Sequence, residues 1–151
     1  MGALKDRLHG DLTAAMKAQD ELVRATLRMV LTAVGTEEVA GQTARELSDS
    51  EVQAVLVREA KKRREAAEAF TRGGAPERAE RELAEGRVLS AYLPEQLTDD
   101  ELAALVRSAV ESSGASGPRG LGAVMKIVRP QVGDRVEGGR LAAAIRSALG
   151  D

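Results

Sequence analysis

Apolar residues recur every three or four positions along most of the chain, and this spacing predicts helices. The first helix covers about residues 3–18, and its narrow apolar stripe consists of Leu4, Leu8, Leu12 and Met16. Asp20 is suited to cap a second helix that runs to about Ala40. The apolar face of this second helix comprises Val23, Leu27, Val30, Leu31 and Val34.

The remaining helix boundaries follow from capping residues, glycines and prolines. Capping boxes at Ser48 with Glu51, and at Thr98 with Glu101, start the third and fifth helices. A glycine pair ends the third helix, and Pro130 is expected to close the sixth. The third to seventh helices are predicted over about residues 49–71, 76–91, 99–112, 121–128 and 137–149.

The pattern contains no strand-type alternation, so the predicted fold class is all-α. We expect two helical subdomains that together form one module: a four-helix unit over residues 1–94 and a three-helix unit over residues 95–151. Leu93–Leu97 would form the joint between them, because Pro94 disfavours helix at the residue before it. Tyr92 and Pro94 therefore have a structural role in this interpretation.

Composition supports a helical protein and narrows the possible chemistry. Of the 151 residues 43% are hydrophobic but only 1% aromatic, so leucine, valine, alanine, methionine and isoleucine must build the core. The absence of cysteine excludes disulfides and thiolate metal sites. Apolar runs are too short for a membrane span and the start lacks a signal-peptide layout, so we expect a cytoplasmic protein without membrane contact.

No catalytic, metal-binding or cofactor-binding constellation is predicted. His9 is the only histidine, and no nucleophile is placed beside it. The glycine-rich segments match neither phosphate-loop motif. Three acidic residues of the fourth helix alternate with arginines, which favours surface ion pairs over a metal site; they are Glu80, Glu82 and Glu85.

The third helix carries the sharpest local feature, a run of four consecutive cations. Glu59 and Arg63 lie on the apolar stripe at i, i+4, so a half-buried pair is expected there. The other three cations would point outward and neutralise phosphates of a folded RNA; they are Lys61, Lys62 and Arg64. The alternative is a solvated helix face balanced by Glu65 and Glu68.

A second candidate lies before the last helix, where Arg135 and Arg140 flank a glycine pair. Free N–H groups at a helix start, together with guanidinium groups, can hold a phosphate; the alternative is a turn with solvated arginines. From Ala115 onward six basic residues face three acidic ones, Asp151 among them, although the whole chain has a net charge of −2. The sequence offers no aromatic platform for single-stranded bases, so any RNA contact would be to the backbone.

Five segments, in order and at consistent spacing over about residues 4–149, resemble the GatB/YqeY family. The most specific is the sequence YLPEQL, which resembles the family's YLP-x-QL joint. The five segments are Leu27–Leu31, Arg58–Ala66, Tyr92–Leu97, Gly122–Met125 and Arg135–Gly138. The last departs from the family pattern through Val136 and Glu137, and Asp134 just before it adds an acid that weakens a phosphate site there.

The resemblance implies two helical subdomains and a link to translation. Similar domains form the C-terminal tail of the B subunit of the tRNA-dependent amidotransferase, where they are associated with holding tRNA. The resemblance thus favours an accessory module that binds tRNA or another structured RNA. The residues expected to contact the RNA are Lys61, Lys62, Arg64, Arg135 and Arg140.

Two alternatives stay open at this point. One is a helical adaptor that docks on translation or amidotransferase proteins, which mixed charge and near-neutral net charge suit equally well. The other is the family's label of carbon–nitrogen ligase with glutamine as amido-N donor. The sequence contains no nucleotide loop and no amidase nucleophile, so any such activity would need other subunits.

Overall fold

A computed structural model describes residues 2–150, and Met1 and Asp151 lie outside the described residues. Within that range the protein is entirely helical, with no strand, so the predicted all-α class is confirmed. Two short 3₁₀ turns, Pro118–Gly120 and Gly133–Arg135, flank the sixth helix. The α-helices are α1 (Ala3–Lys17), α2 (Glu21–Glu38), α3 (Asp49–Arg72), α4 (Pro76–Ser90), α5 (Asp99–Ser113), α6 (Leu121–Val132) and α7 (Gly138–Ala148).

Side-chain caps fix where three of these helices begin, as predicted. The Asp20 carboxylate accepts a hydrogen bond of 3.2 Å from the Val23 N–H and caps α2. The capping boxes of α3 and α5 are both complete. In each, the N-cap hydroxyl accepts a hydrogen bond from the N–H of the third helical residue, and the glutamate at that position accepts one from the N-cap N–H. These bonds satisfy N–H groups that have no partner inside the helix.

The helices group into two compact units that divide between Leu93 and Pro94. In the first unit, α1 packs mainly against α2, and α3 and α4 form an antiparallel hairpin that turns at Gly73 and Gly74. Its core is aliphatic and draws on all four helices and the segment before α3. The buried members are Leu8, Leu27, Val30, Val34, Leu47, Val52, Val55, Leu56 and Leu89.

The second unit contains α5, α6 and α7, and it has an aliphatic core of its own. Leu97 enters this core, and its N–H donates to the Arg135 carbonyl across 3.0 Å. That bond places the starts of α5 and α7 at the same end of the unit. The buried members are Leu97, Leu102, Val106, Ala109, Val124, Val128, Val132, Val136, Leu141 and Ile145.

Met16 does not belong to the buried stripe of α1, contrary to the sequence prediction. It is 48% exposed, whereas Ala15 is buried. A strict i, i+4 series advances 40° around the helix at every step, so its fourth member has rotated away from the core. Ala15 follows the buried Leu8 by seven residues, a spacing that returns to the same face.

The predicted end of α6 is wrong, because the helix continues through Pro130 to Val132. Val124, Val128 and Val132 form one fully or almost fully buried row, and burying the last valine requires the extra turn. The proline lies in the final turn, where the loss of one backbone hydrogen bond is least damaging. The predicted end of α2 is also two residues late, since this helix stops at Glu38.

The carboxylate of Glu38, the last residue of α2, connects this helix end to α1 and to the segment before α3. It pairs with the Lys5 ammonium at 2.9 Å and accepts the Leu47 N–H at 3.3 Å. The Lys5 hydrogen bond is the main reason that the pKa of Glu38 lies below its usual range. These contacts direct the chain out of α2 and into the segment that leads to α3.

Replacing Gly120 with alanine is expected to lower the free energy of unfolding by about 1–3 kcal/mol. A Cβ atom there would lie 2.9 Å from the Ala115 Cβ and 3.3 Å from a Leu149 methyl group. Gly122 gives a matched control, because a Cβ atom added there would have no neighbour within 4 Å. Urea unfolding should show Gly122→Ala unchanged or slightly more stable, and equal destabilisation of both variants would contradict the packing argument.

Candidate nucleic-acid interface

The middle of α3 carries cations on its solvent-facing side, because the apolar residues of its other side are buried in the core. Leu56 and Ala67 are buried against the rest of the first unit. The three candidate cations lie within one turn between them, and their side chains are 50%, 66% and 40% exposed. In chain order these are Lys61, Lys62 and Arg64.

Each of these cations has a carboxylate neighbour on α3 itself. Lys61 lies 3.8 Å from Glu65, and Arg64 lies 4.0 Å from Glu68. Both acidic side chains are more than half exposed, so these are solvated surface pairs of the kind that contributes little to stability. A phosphate can therefore replace such a partner at small cost.

Lys62 differs from its neighbours because its partner is buried. Its ammonium lies 3.0 Å from a carboxylate oxygen of Glu59, whose side chain is only 6% exposed. The lysine side chain itself is 66% exposed and remains open to solvent. Glu59 thus pairs with the ammonium group itself, while most of the Lys62 side chain stays exposed.

The predicted Glu59–Arg63 pair exists and belongs to a larger cluster. The Arg63 guanidinium, 12% exposed, lies 3.3 Å from Glu59 and also contacts the Met29 sulfur of α2. It lies 3.3 Å from Glu85 and 3.7 Å from Glu82, both on α4. One buried cation therefore links α3 with α2 and α4, and it cannot take part in a surface contact.

The prediction that the α4 acids form surface pairs is wrong for Glu82. It is confirmed in part for Glu85, whose carboxylate accepts a hydrogen bond of 3.2 Å from the half-exposed Arg81. Glu82 and Glu85 face Arg63 in the hairpin, whereas Glu80 forms the expected exposed pair with Arg87 at 2.8 Å. The sequence contained a usable signal. In an antiparallel hairpin that turns at 73–74, residues equally distant from the turn face each other, and Arg63 is then opposite residues 84–85.

Arg135 and Arg140 lie in the second unit and both have partners there. The Arg135 Nε donates to the Glu95 carbonyl at 3.2 Å. The Arg140 guanidinium lies 2.8 Å from Asp99, whose side chain is 96% exposed. The remaining donors of each guanidinium are available to another acceptor, since each side chain has five N–H groups.

The start of α7 is already occupied by a carboxylate. Glu137 caps the helix and accepts the N–H groups of Gly139 and Arg140 at 2.9 and 3.0 Å. These are the N–H groups that the sequence suggested for a phosphate. The structure places the replacement glutamate of the family motif in that position, so the helix start is not open to an anion.

Tyr92 and its neighbours fasten the end of the first unit onto α1. The Tyr92 hydroxyl donates to Asp11 at 2.5 Å, and the Arg7 guanidinium stacks over its ring at 4.5 Å. Burial is the main cause that raises the pKa of Tyr92, followed by its hydrogen bond to Asp11. The hydroxyl is therefore a neutral donor in a structural contact.

The described part of the chain contains no cluster of side chains suited to hold a metal ion. His9 is exposed on α1, and its carbonyl accepts the Thr13 hydroxyl at 3.1 Å. Between residues 2 and 150 no group of three or more histidine or acidic side chains is arranged to hold a metal. In the same range no helix is long and apolar enough to cross a bilayer.

Comparison with known proteins gives one finding on the family and none on a relative. The sequence matches the family model described as Yqey-like protein over residues 5–149. No curated protein matches the chain. The matched range includes the cation-bearing turn of α3 and both arginines of the second unit.

Proposed function

Because the chain belongs to the YqeY-like family, we propose that it is an accessory module that binds the phosphate backbone of a structured RNA, tRNA first among them. The observation that carries this proposal is the exposed turn of α3 with Lys61, Lys62 and Arg64. Lysine and arginine bound to phosphates release counterions, and this supplies most of the affinity of non-specific binding.

Nearby acids limit the affinity that we expect. Glu65 and Glu68 lie on the same face as the three cations and repel a phosphate that approaches them. Binding should therefore be modest, strongest at low salt and independent of base sequence. Arg135 and Arg140 supply a second set of contacts in this proposal, each after exchanging or sharing its present partner.

The test is a titration of labelled bulk tRNA with the full chain, followed by fluorescence anisotropy at several salt concentrations. We expect the logarithm of the affinity to fall linearly with the logarithm of the salt concentration. The triple variant Lys61→Ala/Lys62→Ala/Arg64→Ala should make this negative slope less steep by about 2–3, since each lost phosphate contact contributes about 0.7–0.9 to its magnitude.

A matched triple variant controls for net charge. Lys17→Ala/Arg28→Ala/Arg87→Ala also removes three cations from the first unit. All three residues are exposed, and none of them lies on α3. Its salt slope should equal that of the unchanged protein. An equal loss in both triples would mean that binding follows total charge, and a flat trace at the lowest salt would favour the adaptor function.

A further variant, Arg135→Ala/Arg140→Ala, reports on the second unit. We expect it to reduce the magnitude of the salt slope by up to about 2. Because Arg140 pairs with Asp99, its thermal unfolding is measured in parallel. A slope that stays unchanged in a folded variant would restrict the RNA surface to α3. For the ligase label we assign no residue of this chain, and any amidotransferase activity would need other subunits.

A further inference from the structure

A two-turn groove runs between α5 and α7 on the surface of the second unit, with a volume of about 610 Å³. The two helices line it in the same way, each with residues at i, i+3, i+4, i+7 and i+8, over positions 99–107 and 140–148. Its floor is formed by the buried Leu102 and Val106. With a rise of 1.5 Å per residue, the groove is about 12 Å long.

Small side chains keep this groove open. Ala103 lies on the α5 side, and Ala143, Ala144 and Ala148 lie on the α7 side. Helices whose contact residues are this small can approach to about 8 Å, the short end of helix packing distances. The space between α5 and α7 therefore has the form into which a third helix packs.

The charges at the rim favour an acidic occupant. Arg107 is exposed and forms no ion pair or hydrogen bond with any residue in the described range 2–150. Arg140 stands on the other wall, and its partner Asp99 is almost fully exposed, so this pair exchanges easily with another carboxylate. Two arginines against one aspartate leave the rim with a net positive charge.

We propose that the α5–α7 groove binds an amphipathic helix of a partner protein, with small apolar residues on its contact face and glutamate or aspartate at its flanks. The apolar face would cover the alanines of both walls, as in other helix-in-groove complexes. The flanking carboxylates would pair with Arg107 and Arg140 and fix the orientation of the helix. This surface lies outside α3 and shares only Arg140 with the proposed RNA contacts, so it does not rest on RNA binding.

The probe is a synthetic peptide of about 16 residues, long enough to form a helix, with alanine and leucine on one face and glutamate at the flanks. A second peptide carries lysine in place of every glutamate. Each is titrated into the full chain labelled with ¹⁵N. We expect amide shifts confined to positions 99–107 and 140–148 with the acidic peptide, and none there with the lysine peptide.

Adjacent alanines of α5 provide matched variants. Ala103 lines the groove, Ala104 lies outside it, and both are exposed, so both variants should fold. Ala103→Glu should weaken binding of the acidic peptide by about ten-fold or more, because the new carboxylate stands four residues before Arg107, competes for that guanidinium and repels the peptide's glutamates. Ala104→Glu should leave the Kd within about two-fold, and Arg107→Glu should raise it by about five- to ten-fold.

Four results would overturn the assignment. They are an absence of amide shifts at millimolar peptide, equal binding of the two peptides, equal weakening by Ala103→Glu and Ala104→Glu, and displacement of the peptide by tRNA in a chain that carries Arg140→Ala. The last result would make the groove itself, and not only the shared arginine, part of an RNA surface. Failure of tRNA to bind at all would leave the peptide result unaffected.

Discussion

Replacing Arg63 with alanine is expected to lower the free energy of unfolding by about 3–5 kcal/mol, more than any surface substitution on α3. The side chain is 12% exposed and has three carboxylates around it. Removing the cation leaves those acids close together in a poorly solvated space, with Lys62 and Arg81 as the remaining partners of two of them, so that much of their desolvation cost loses its compensation. The three carboxylates belong to Glu59, Glu82 and Glu85.

Lys61→Ala is the matched control, because Lys61 is two residues away on the same helix but half exposed. Its free energy of unfolding should change by less than about 0.5 kcal/mol. Both variants are measured by urea unfolding at neutral pH. The triple Arg63→Met/Glu82→Gln/Glu85→Gln should recover part of the lost stability, since it removes charges together with their partner.

A different outcome would change the interpretation of the cluster. If Arg63→Ala cost no more than Lys61→Ala, the guanidinium would be exchanging its partners for water, and the hairpin would depend on its apolar contacts alone. If the triple variant were less stable than Arg63→Ala, the carboxylates themselves would be holding α4 in place.

The Arg63 cluster contains one ion pair that the sequence predicted and two contacts between helices that it did not. The i, i+4 spacing within one helix was enough to predict the Glu59–Arg63 pair, because neighbours on a helix are set by local geometry. The contacts to Glu82 and Glu85 cross between helices, and they depend on the turn at 73–74 and on the rotation of α4. Spacing within one helix carries no information on that rotation, and only the glycine turn at 73–74 indicates which part of α4 lies opposite Arg63.

Caps and apolar stripes predicted most of the fold for the same reason. The capping boxes of α3 and α5 need only four consecutive residues, and both formed as predicted. The end of α6 was wrong because a local rule about Pro130 competed with burial of Val132, which depends on the tertiary core. Propensity is the weaker influence wherever a buried side chain requires another turn.

In the candidate site, too, features set by local spacing could be predicted and features that depend on distant segments could not. That Lys61, Lys62 and Arg64 would face solvent followed from the stripe on α3, and their exposed side chains agree with it. The partners of Arg135 and Arg140 could not be predicted, because Glu95 and Asp99 come from a segment about 40 residues earlier. The groove between α5 and α7 is also a tertiary feature, and the alanines of a single helix give no sign of it.

Each of the two cores is expected to respond separately to a cavity. Leu141→Ala in the second unit and Leu56→Ala in the first should each cost about 2–5 kcal/mol, because both side chains are fully buried. We propose that residues 1–94 and 95–151 are separate domains, and on this basis the loss of amide protection should stay within the core that carries the substitution. Native-state hydrogen exchange measures protection at each amide.

The double variant tests this separation directly. Sites in different cores share no partner, so the two costs should add to within about 0.5 kcal/mol. Leu83→Ala controls for the loss of a leucine as such, since Leu83 is 43% exposed and should cost far less. If Leu141→Ala lowered the protection of amides around Leu56 as much as those around Leu141, both cores would unfold as one cooperative unit. The boundary near residue 94 would then mark a division in packing without a division in stability.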